Sequence, residues 1–293
     1  WLGYECWSDL AARFHRTFLK TEPSYERALA AAVLERGEYP KLFQLCQNAN
    51  KQTFFRLLGD SFPPRPATPV YQRLINALQR LEGQFILTTN FDEAIERNLP
   101  NLAPVQRSDL PRVVALLTAR APFVAKLHGS ISAIESVVLT SADYDRLLGD
   151  ASFTEVLRCV LTTCSIVFLG YSLRDEYLFR MLDRNALLYT LFGDGPHFLL
   201  TAEQRSGLPD SIRTIRYLDD AHRDHRSAIQ VIELLEHAQR KKIHAQPVPV
   251  EQRCPQFLSA HFLSDLYRAG TWTPTHTLGL MKNENGSTSE MLV

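Results

Sequence analysis

The first sixty residues carry apolar positions at every third or fourth residue, which is the spacing of one helix face. Three of them share such a face: Leu10, Phe14 and Phe18. Ser8 is a suitable N-cap for this helix. Ser24 is placed to cap a second helix that Gly37 would end. We therefore expect a helical segment over about residues 8–62.

A proline-rich stretch between residues 63 and 69 marks an irregular connector after this segment. Thr68 followed by Pro69 fits an N-cap with proline at the first helical position. Apolar residues then recur at helical spacing as far as Leu81. The pattern predicts a helix that begins at Pro69.

From residue 84 onward, short apolar runs alternate with helical stretches. The runs lie at 85–87, 123–125, 166–169 and 198–200, with weaker strand candidates at 137–139 and 212–217. The helical stretches lie near 110–120, 152–163, 175–191 and 226–241. Short continuous apolar strands that alternate with helices are typical of a parallel sheet covered on both faces. The pattern predicts an α/β fold with a mostly parallel, Rossmann-like sheet, helices on both faces and a helical insertion.

The composition of the chain changes near residue 243. This change predicts two regions, a domain over 1–243 and a C-terminal extension over 244–293. The extension is rich in proline and polar residues, and we expect it to be partly disordered, above all at 282–293. Its one amphipathic stretch, at 257–266, is a candidate interaction surface. The alternative is that this stretch packs on its own domain.

Composition narrows the class of protein. Lys plus Arg and Asp plus Glu both number 32, so the formal charge is zero and direct nucleic-acid binding is disfavoured. The longest apolar runs are too short to cross a bilayer, and no secretory signal is visible. The five cysteines are scattered without a Cys-x-x-Cys pair, which is typical of reduced thiols. We expect a cytoplasmic protein that does not bind membranes.

Polar and small residues come directly after three of the apolar runs. They are Asn90 and Asp92 after the first, His128 and Gly129 after the second, and Gly170 and Ser172 after the third. Ligands of open parallel sheets bind outside the carboxyl ends of the strands. We therefore expect the three strands to be parallel neighbours whose loops line one cleft.

Each of these residues also has a structural interpretation. Asn90 or Asp92 could cap the helix that follows, since both are favoured caps. His128 alone is more often a hydrogen-bonded structural histidine than a catalyst. Gly170 and Ser172 alone would be an ordinary strand-to-helix turn. The functional interpretation depends on all three motifs occurring together and in this order.

Together the motifs resemble the sirtuin-like family, and more narrowly its bacterial branch that hydrolyses NAD in antiphage defence. The motifs are Thr89-Asn90-Phe91-Asp92, Lys126-Leu127-His128-Gly129-Ser130 and Phe168-Leu169-Gly170-Tyr171-Ser172-Leu173-Arg174-Asp175. Ser141-x-Asp143-Tyr144 and Leu2-Gly3-Tyr4-x-x-Trp7 are also family-like. The similarity spans about residues 1–235. The chain begins without an initiator Met, and the family's first strand and Gly-Ala-Gly loop would precede Trp1.

The resemblance implies a sirtuin-type sheet and an enzyme that cleaves NAD⁺ to nicotinamide and ADP-ribose, without a metal. It implies catalytic roles for Asn90 and His128, and less strongly for Asp92. The implied cofactor-binding residues are Thr89, Phe91, Gly129, Gly170, Tyr171 and Ser172. The zinc ribbon of protein-deacylating sirtuins needs two cysteine pairs, which this chain lacks; Cys159 and Cys164 fit core thiols instead.

These residue types suit cleavage of the nicotinamide–ribose bond. The leaving group is already a cation and needs no acid, while an oxocarbenium-like sugar must be stabilised. His128 can take a proton from water or a ribose hydroxyl at neutral pH. Asn90 can orient the water or the ribose because an amide both donates and accepts. Asp92 can favour positive charge that develops on the sugar.

Two alternatives remain open: an NAD-dependent protein deacylase, and a nucleotide-binding sensor that does not turn NAD over. The missing zinc module and the helical insertion disfavour the deacylase. The resemblance also implies homo-oligomers, or work beside an ATPase or Argonaute-type partner encoded nearby.

Overall fold

The computed structural model describes residues 2–18, 24–81, 85–171, 182, 197–203, 206–217, 225–245, 280–281 and 291–292. The chain divides into two compact units. Unit 1 comprises Trp1–Tyr71, Phe85–Leu116 and Pro122–Val156, and unit 2 comprises Gln72–Gln84, Leu117–Ala121 and Leu157–Val293.

Unit 1 begins with four helices, as the apolar spacing predicts. They are α1 (Trp7–Phe18), α2 (Ser24–Glu35), α3 (Tyr39–Ala49) and α4 (Lys51–Ser61). The ring of Phe14 is fully buried and lies 5.2 Å, between centroids, from both Phe43 and Phe54. Contacts between aromatic edges and faces stabilise such a core beyond the area that it buries. The predicted helical segment over 8–62 therefore has an aromatic core of its own.

The sheet of unit 1 has three parallel strands in the order β1-β3-β2. They are β1 (Phe85–Thr88), β2 (Ala103–Val105) and β3 (Phe123–Lys126), with α6 (Ala94–Asn98) and α7 (Arg112–Thr118) between them. The side chains of all four β3 residues are buried, because this strand is central and covered on both faces. Strand β2 was not predicted, since Ala-Pro-Val is too short to show a pattern.

Unit 2 contains a second sheet of three parallel strands in the order β4-β5-β6. They are β4 (Val167–Phe168), β5 (His197–Thr201) and β6 (Ile212–Arg216). The described part of the unit also includes α9 (Ala151–Thr163), which begins in unit 1, α10 (Arg226–Ala245) and most of the helix over Pro69–Arg80. Of the helix predicted near 175–191, Leu182 is among the described residues, and it is helical and buried.

The α/β fold class with parallel sheets is confirmed, but the expected adjacency of three strands is wrong for the third. Strand β1 pairs with β3, whereas β4 pairs with β5 in the other sheet. The apolar runs of a sequence identify strands without giving their pairing order, and so this difference could not be anticipated.

Two further local predictions need correction. Residues 137–139 are buried but are not a strand; they lead into α8 (Ser141–Leu148). That helix was not predicted, although it begins with a capping box formed by Thr140 and Asp143. Helix α5 (Pro69–Arg80) is confirmed, and its Tyr71 N–H donates to the hydroxyl of Thr68 at 3.2 Å.

The described part of the C-terminal extension is small. Strands β7 (Leu280–Met281) and β8 (Met291–Leu292) form an antiparallel pair. The disorder expected at 282–293 stays a prediction, and the amphipathic stretch at 257–266 lies outside the described residues. None of the helices described here has the length and apolar character that crossing a bilayer requires.

The buried His197 on β5 makes the stability of the fold depend on pH. Burial lowers the pKa of His197 from 6.5 to about 4, and its Nδ1 accepts a hydrogen bond from the Ile166 N–H at 3.2 Å. Because the folded pKa is the lower one, the unfolded chain binds the proton first. The free energy of unfolding therefore falls by about 3 kcal/mol as the pH drops from 6.5 to about 4, and this contribution changes no further below that.

We expect His197→Asn, which keeps an acceptor for the Ile166 N–H, to weaken this dependence. Melting temperatures measured between pH 7 and pH 4 should fall less in the variant than in the wild type. His237→Asn, on the exposed face of α10, is the matched control and should follow the wild type. Equal slopes for His197→Asn and the wild type would show that His197 does not titrate between these values.

Candidate functional site

The pairing of β1 with β3 brings the two principal motifs together. Thr88 is paired with Lys126 in parallel register, and Asn90 and His128 each lie two residues farther along. Neighbouring strands lie about 4.8 Å apart. Asn90 and His128 therefore leave adjacent strands at the same level of the sheet, at its carboxyl edge.

Four hydrogen bonds join the loop after β1 to the last residue of β3 and the loop after it. Two are between backbone groups, from Leu127 N to Thr88 O and from Ile131 N to Phe91 O, each 2.9 Å long. The other two involve side chains: Lys126 Nζ donates to Asp92 O, and Ser130 Oγ donates to Glu93 Oε1 at 3.1 Å. The two loops thus form one connected unit around Asn90 and His128.

Asn90 presents its side chain to solvent from a fixed backbone. Its N–H donates to the hydroxyl of the buried Thr88 at 3.1 Å, which closes a tight turn directly after β1. The Asn90 side chain is exposed and Thr89 is half-buried. The exposed amide of Asn90 is therefore accessible to a ligand, whereas its main chain is held by the protein.

His128 is buried, with a relative exposure of 6%, and is held through both its backbone and its ring. Its carbonyl accepts from Val138 N at 2.9 Å. Its ring packs against Tyr144 with centroids 5.6 Å apart and ring planes at 83°. A histidine fixed in this way can present one ring nitrogen to a ligand in a defined direction.

Asp92 lies directly before Glu93, the N-cap of α6, and its side chain closes an Asx turn there. Its Oδ1 accepts from Ala94 N at 3.0 Å, at the first residue of α6, and its side chain is buried. Its charge nevertheless acts on its surroundings. Burial and, secondarily, the charge of Asp92 raise the pKa of the phenols of Tyr4 and Tyr71. Both phenols therefore stay protonated near this carboxylate at neutral pH.

Lys126 is the most unusual residue of the site because it is charged and has no exposed surface. Its ammonium donates to the Asp92 carbonyl and lies 3.2 Å from Glu96 Oε1. Breaking a buried pair by removing one partner typically costs about 3–5 kcal/mol. Lys126 therefore links the Asp92 segment to the strand that leads to His128.

Glu93 adds a second carboxylate beside Asp92. Hydrogen bonds from the hydroxyls of Ser132 and Ser130, with support from the charges of Lys126 and Arg97, hold the pKa of Glu93 below its ordinary value. Glu93 is therefore ionised at neutral pH and anchors the loop that follows His128.

Gly129 and Phe91 have structural roles that explain their presence. A Cβ at Gly129 would lie 2.2 Å from the backbone oxygen of Ser136, and the φ of Gly129 is +81°. The ring of Phe91 is buried in the helical core against Trp7 and Phe62. Core packing accounts for Phe91, and its contact with a cofactor stays a prediction from the resemblance.

The third motif belongs to unit 2, whereas the residues above belong to unit 1. Gly170 has a φ of +63°, a conformation that favours glycine, and no described residue lies within 4 Å of the place its Cβ would take. Tyr171 stacks on Phe168 with centroids 6.0 Å apart. Ser172 lies outside the described residues.

A cavity of about 500 Å³ lies elsewhere in unit 1, between α3 and α4 on one side and α8 on the other. Its lining includes Lys51, Phe54, Glu135 and Arg146, but not Asn90, Asp92 or His128. The described residues contain no group of three His, Cys, Asp or Glu side chains that could hold a metal ion. Burial raises the pKa of the Cys46 thiol to about 12, so this thiol is not reactive.

Sequence reasoning did not identify Lys126, Glu93, Ser130 or Tyr144 as parts of the site. A usable signal existed for Lys126, since a lysine in a strand buried on both faces needs a partner. Tyr144 belongs to the family-like motif Ser141-x-Asp143-Tyr144, but its contact with His128 could not be predicted because helix α8 was not detected.

Two comparisons with known proteins are informative. A family model described as "SIR2-like domain" matches residues 84–224. The protein named NAD(+) hydrolase ThsA, from Enterococcus faecium, is 32% identical over 99 residues. This match covers 32% of the present chain and 21% of that protein. The chain thus matches about a fifth of the length of this relative.

We expect Gly129→Ala to destabilise the loop after His128 through its positive φ and through a clash with Ser136, and a control variant separates the two effects. Gly207 has a similar φ of +72°, and no described residue lies within 4 Å of the place its Cβ would take. Gly207→Ala therefore incurs the conformational cost, about 1 kcal/mol. Gly129→Ala adds the clash with Ser136 and should lower the free energy of unfolding by about 3 kcal/mol. Denaturant titration measures both. Equal losses in the two variants would contradict the close approach at Gly129.

Proposed function

Because this chain belongs over residues 84–224 to the family of SIR2-like domains, we propose that it is an NAD⁺ hydrolase. The reaction splits the N-glycosidic bond and yields nicotinamide and ADP-ribose. The observation that carries the proposal is the placement of Asn90 and His128 after adjacent parallel strands. Four hydrogen bonds join the two strand ends and the loops that follow them. The similarity to an NAD(+) hydrolase supports the choice of substrate.

Cleavage of this bond requires little acid catalysis, but the enzyme must position the ribose and stabilise the charge that develops on it. Nicotinamide leaves as a neutral molecule from a pyridinium, so the bonding electrons return to its ring and positive charge develops on the ribose. Water then adds to the anomeric carbon and loses a proton. The protein must hold the ribose, stabilise the charge and accept that proton.

His128 is the group that accepts the proton, from the attacking water or from a ribose hydroxyl. Neutral imidazole has a proton affinity suited to this transfer near pH 7. The contacts of its carbonyl and its ring fix its direction, so little reorganisation is needed during the reaction. Asn90, with an exposed amide on a fixed backbone, orients the water or the ribose hydroxyls.

The carboxylate of Asp92 supplies negative charge where positive charge develops, in addition to closing the turn before α6. Glu93 adds a further ionised carboxylate in the same segment. Backbone groups of Thr89 and Gly129 border the two catalytic residues and are proposed to contact the cofactor. The contacts expected from Gly170, Tyr171 and Ser172 remain predictions from the resemblance. The proposed reaction needs no metal.

In a cell, such an enzyme would deplete NAD⁺, and we propose that it acts in the cytoplasm as an effector of antiphage defence. An unrestrained NAD⁺ hydrolase would be toxic, so activity must wait for a signal. Assembly into homo-oligomers, or contact with an ATPase or Argonaute-type partner, is the proposed means of control.

We expect His128→Ala and Asn90→Ala in the full-length protein each to lower nicotinamide release by about 10²- to 10⁴-fold. His237→Ala on α10 and Asn48→Ala on α3 are matched controls, because both side chains are exposed and lie outside the two loops. Liquid chromatography measures nicotinamide and ADP-ribose, and melting temperatures verify folding. Turnover near the wild-type rate from a folded His128→Ala protein would falsify the assignment of this base.

The same assay tests the other interpretations. Nicotinamide release that requires an acylated peptide would identify a deacylase. Binding of NAD⁺ without release of nicotinamide by the wild type would identify a sensor. Either result would overturn the proposed hydrolase.

A further inference from the structure

The ring of Tyr144 packs on the imidazole of His128. Tyr144 lies at the fourth residue of α8 and is half-buried. The centroids of the two rings are 5.6 Å apart and the ring planes are nearly perpendicular, at 83°. This edge-to-face arrangement is the geometry that aromatic pairs prefer.

The position of Tyr144 is fixed by the backbone that precedes it. Val138 N donates to His128 O at 2.9 Å, and six residues later the Tyr144 ring meets the His128 ring. Both ends of the segment 138–144 therefore contact the same residue. A short segment tied at both ends to His128 leaves the tyrosine ring little freedom to move away.

The helix start within this segment is reinforced by hydrogen bonds. Thr140 is fully buried, and its hydroxyl accepts from Asp143 N at 3.2 Å. Asp143 Oδ2 in return accepts from Thr140 N at 2.8 Å and from Leu139 N at 3.2 Å. Arg146 neutralises the other oxygen of Asp143. This capping box fixes where α8 begins and hence where Tyr144 projects.

From this geometry we propose that Tyr144 is a positioning residue for His128, whose ring holds the imidazole in the orientation that proton transfer requires. The inference rests on the proposed function and goes beyond it by naming a residue of α8. Tyr144 acts through His128 and takes no part in the bond changes. Its ring covers one side of the imidazole and limits rotation of that ring.

The test compares Tyr144→Leu with Tyr144→Phe by steady-state kinetics of nicotinamide release from the full-length protein. Leucine removes the aromatic ring, and we expect kcat to fall about tenfold with KM within twofold of the wild type. Phenylalanine restores the ring, and kcat should recover to within about threefold. Tyr25→Leu is the matched control, because Tyr25 on α2 is 76% exposed.

Several outcomes would overturn the inference. They are an unchanged kcat in Tyr144→Leu, a rise in KM alone, which would indicate direct contact with substrate, and a loss in Tyr144→Phe equal to that in Tyr144→Leu. If the wild type itself releases no nicotinamide, the proposed function fails and this inference fails with it. A wild type that is active, with His128→Ala inactive and Tyr144→Leu fully active, would overturn only the role of Tyr144.

A measurement on the wild type keeps the inference falsifiable if Tyr144→Leu does not fold. Nuclear Overhauser effects between the ring protons of His128 and Tyr144 should be present, with the His128 resonance assigned from its loss in His128→Ala. Their absence would overturn the contact, and hence the inference.

Discussion

The candidate site depends on one buried charge, the ammonium of Lys126 at the end of β3. Lys126 has no exposed surface, and its ammonium is compensated by the Asp92 carbonyl and the Glu96 carboxylate. Separating it from either group would leave a charge buried without compensation, which proteins tolerate poorly. The loop after β1 is therefore held against β3, and Asn90 cannot move far from His128 without this cost.

Several residues near Lys126 have both a structural role and a role in the proposed chemistry. One carboxylate oxygen of Asp92 accepts a hydrogen bond from the first N–H of α6, and the Asp92 carbonyl accepts one from Lys126. Glu93 binds the hydroxyl of Ser130 and so secures the loop after His128. Because the backbone of both loops is already ordered, ligand binding loses little conformational entropy in these loops. Substitutions here will change stability and activity together, which is why matched controls are needed.

The sequence allowed the fold class and the principal strands to be predicted because apolar runs and helical spacing are local signals. Strand β2 carried no such signal, and the pairing of β4 with β5 is a long-range property that spacing does not encode. Residues 137–139 are apolar because they are buried, yet they form no strand in the structure. Burial and strand pairing are different properties, and an apolar run reports only the first.

For the site, the sequence indicated Asn90, Asp92 and His128 because polar residues directly after buried strands are distinctive. The sequence did not indicate which residues hold these three side chains in place. The anchoring by Lys126, Glu93 and Tyr144 depends on contacts between segments that are distant in sequence. The structure also gives Phe91 and Gly129 packing roles that are sufficient to explain them without a cofactor.

Hydrogen–deuterium exchange of the full-length protein, with and without ADP-ribose, tests most directly where the nucleotide binds. Our account predicts that ADP-ribose slows exchange at residues 89–93 and 128–132, the loops that follow β1 and β3. Slower exchange confined to residues 51–58 beside the separate cavity, or no change at either loop, would contradict it.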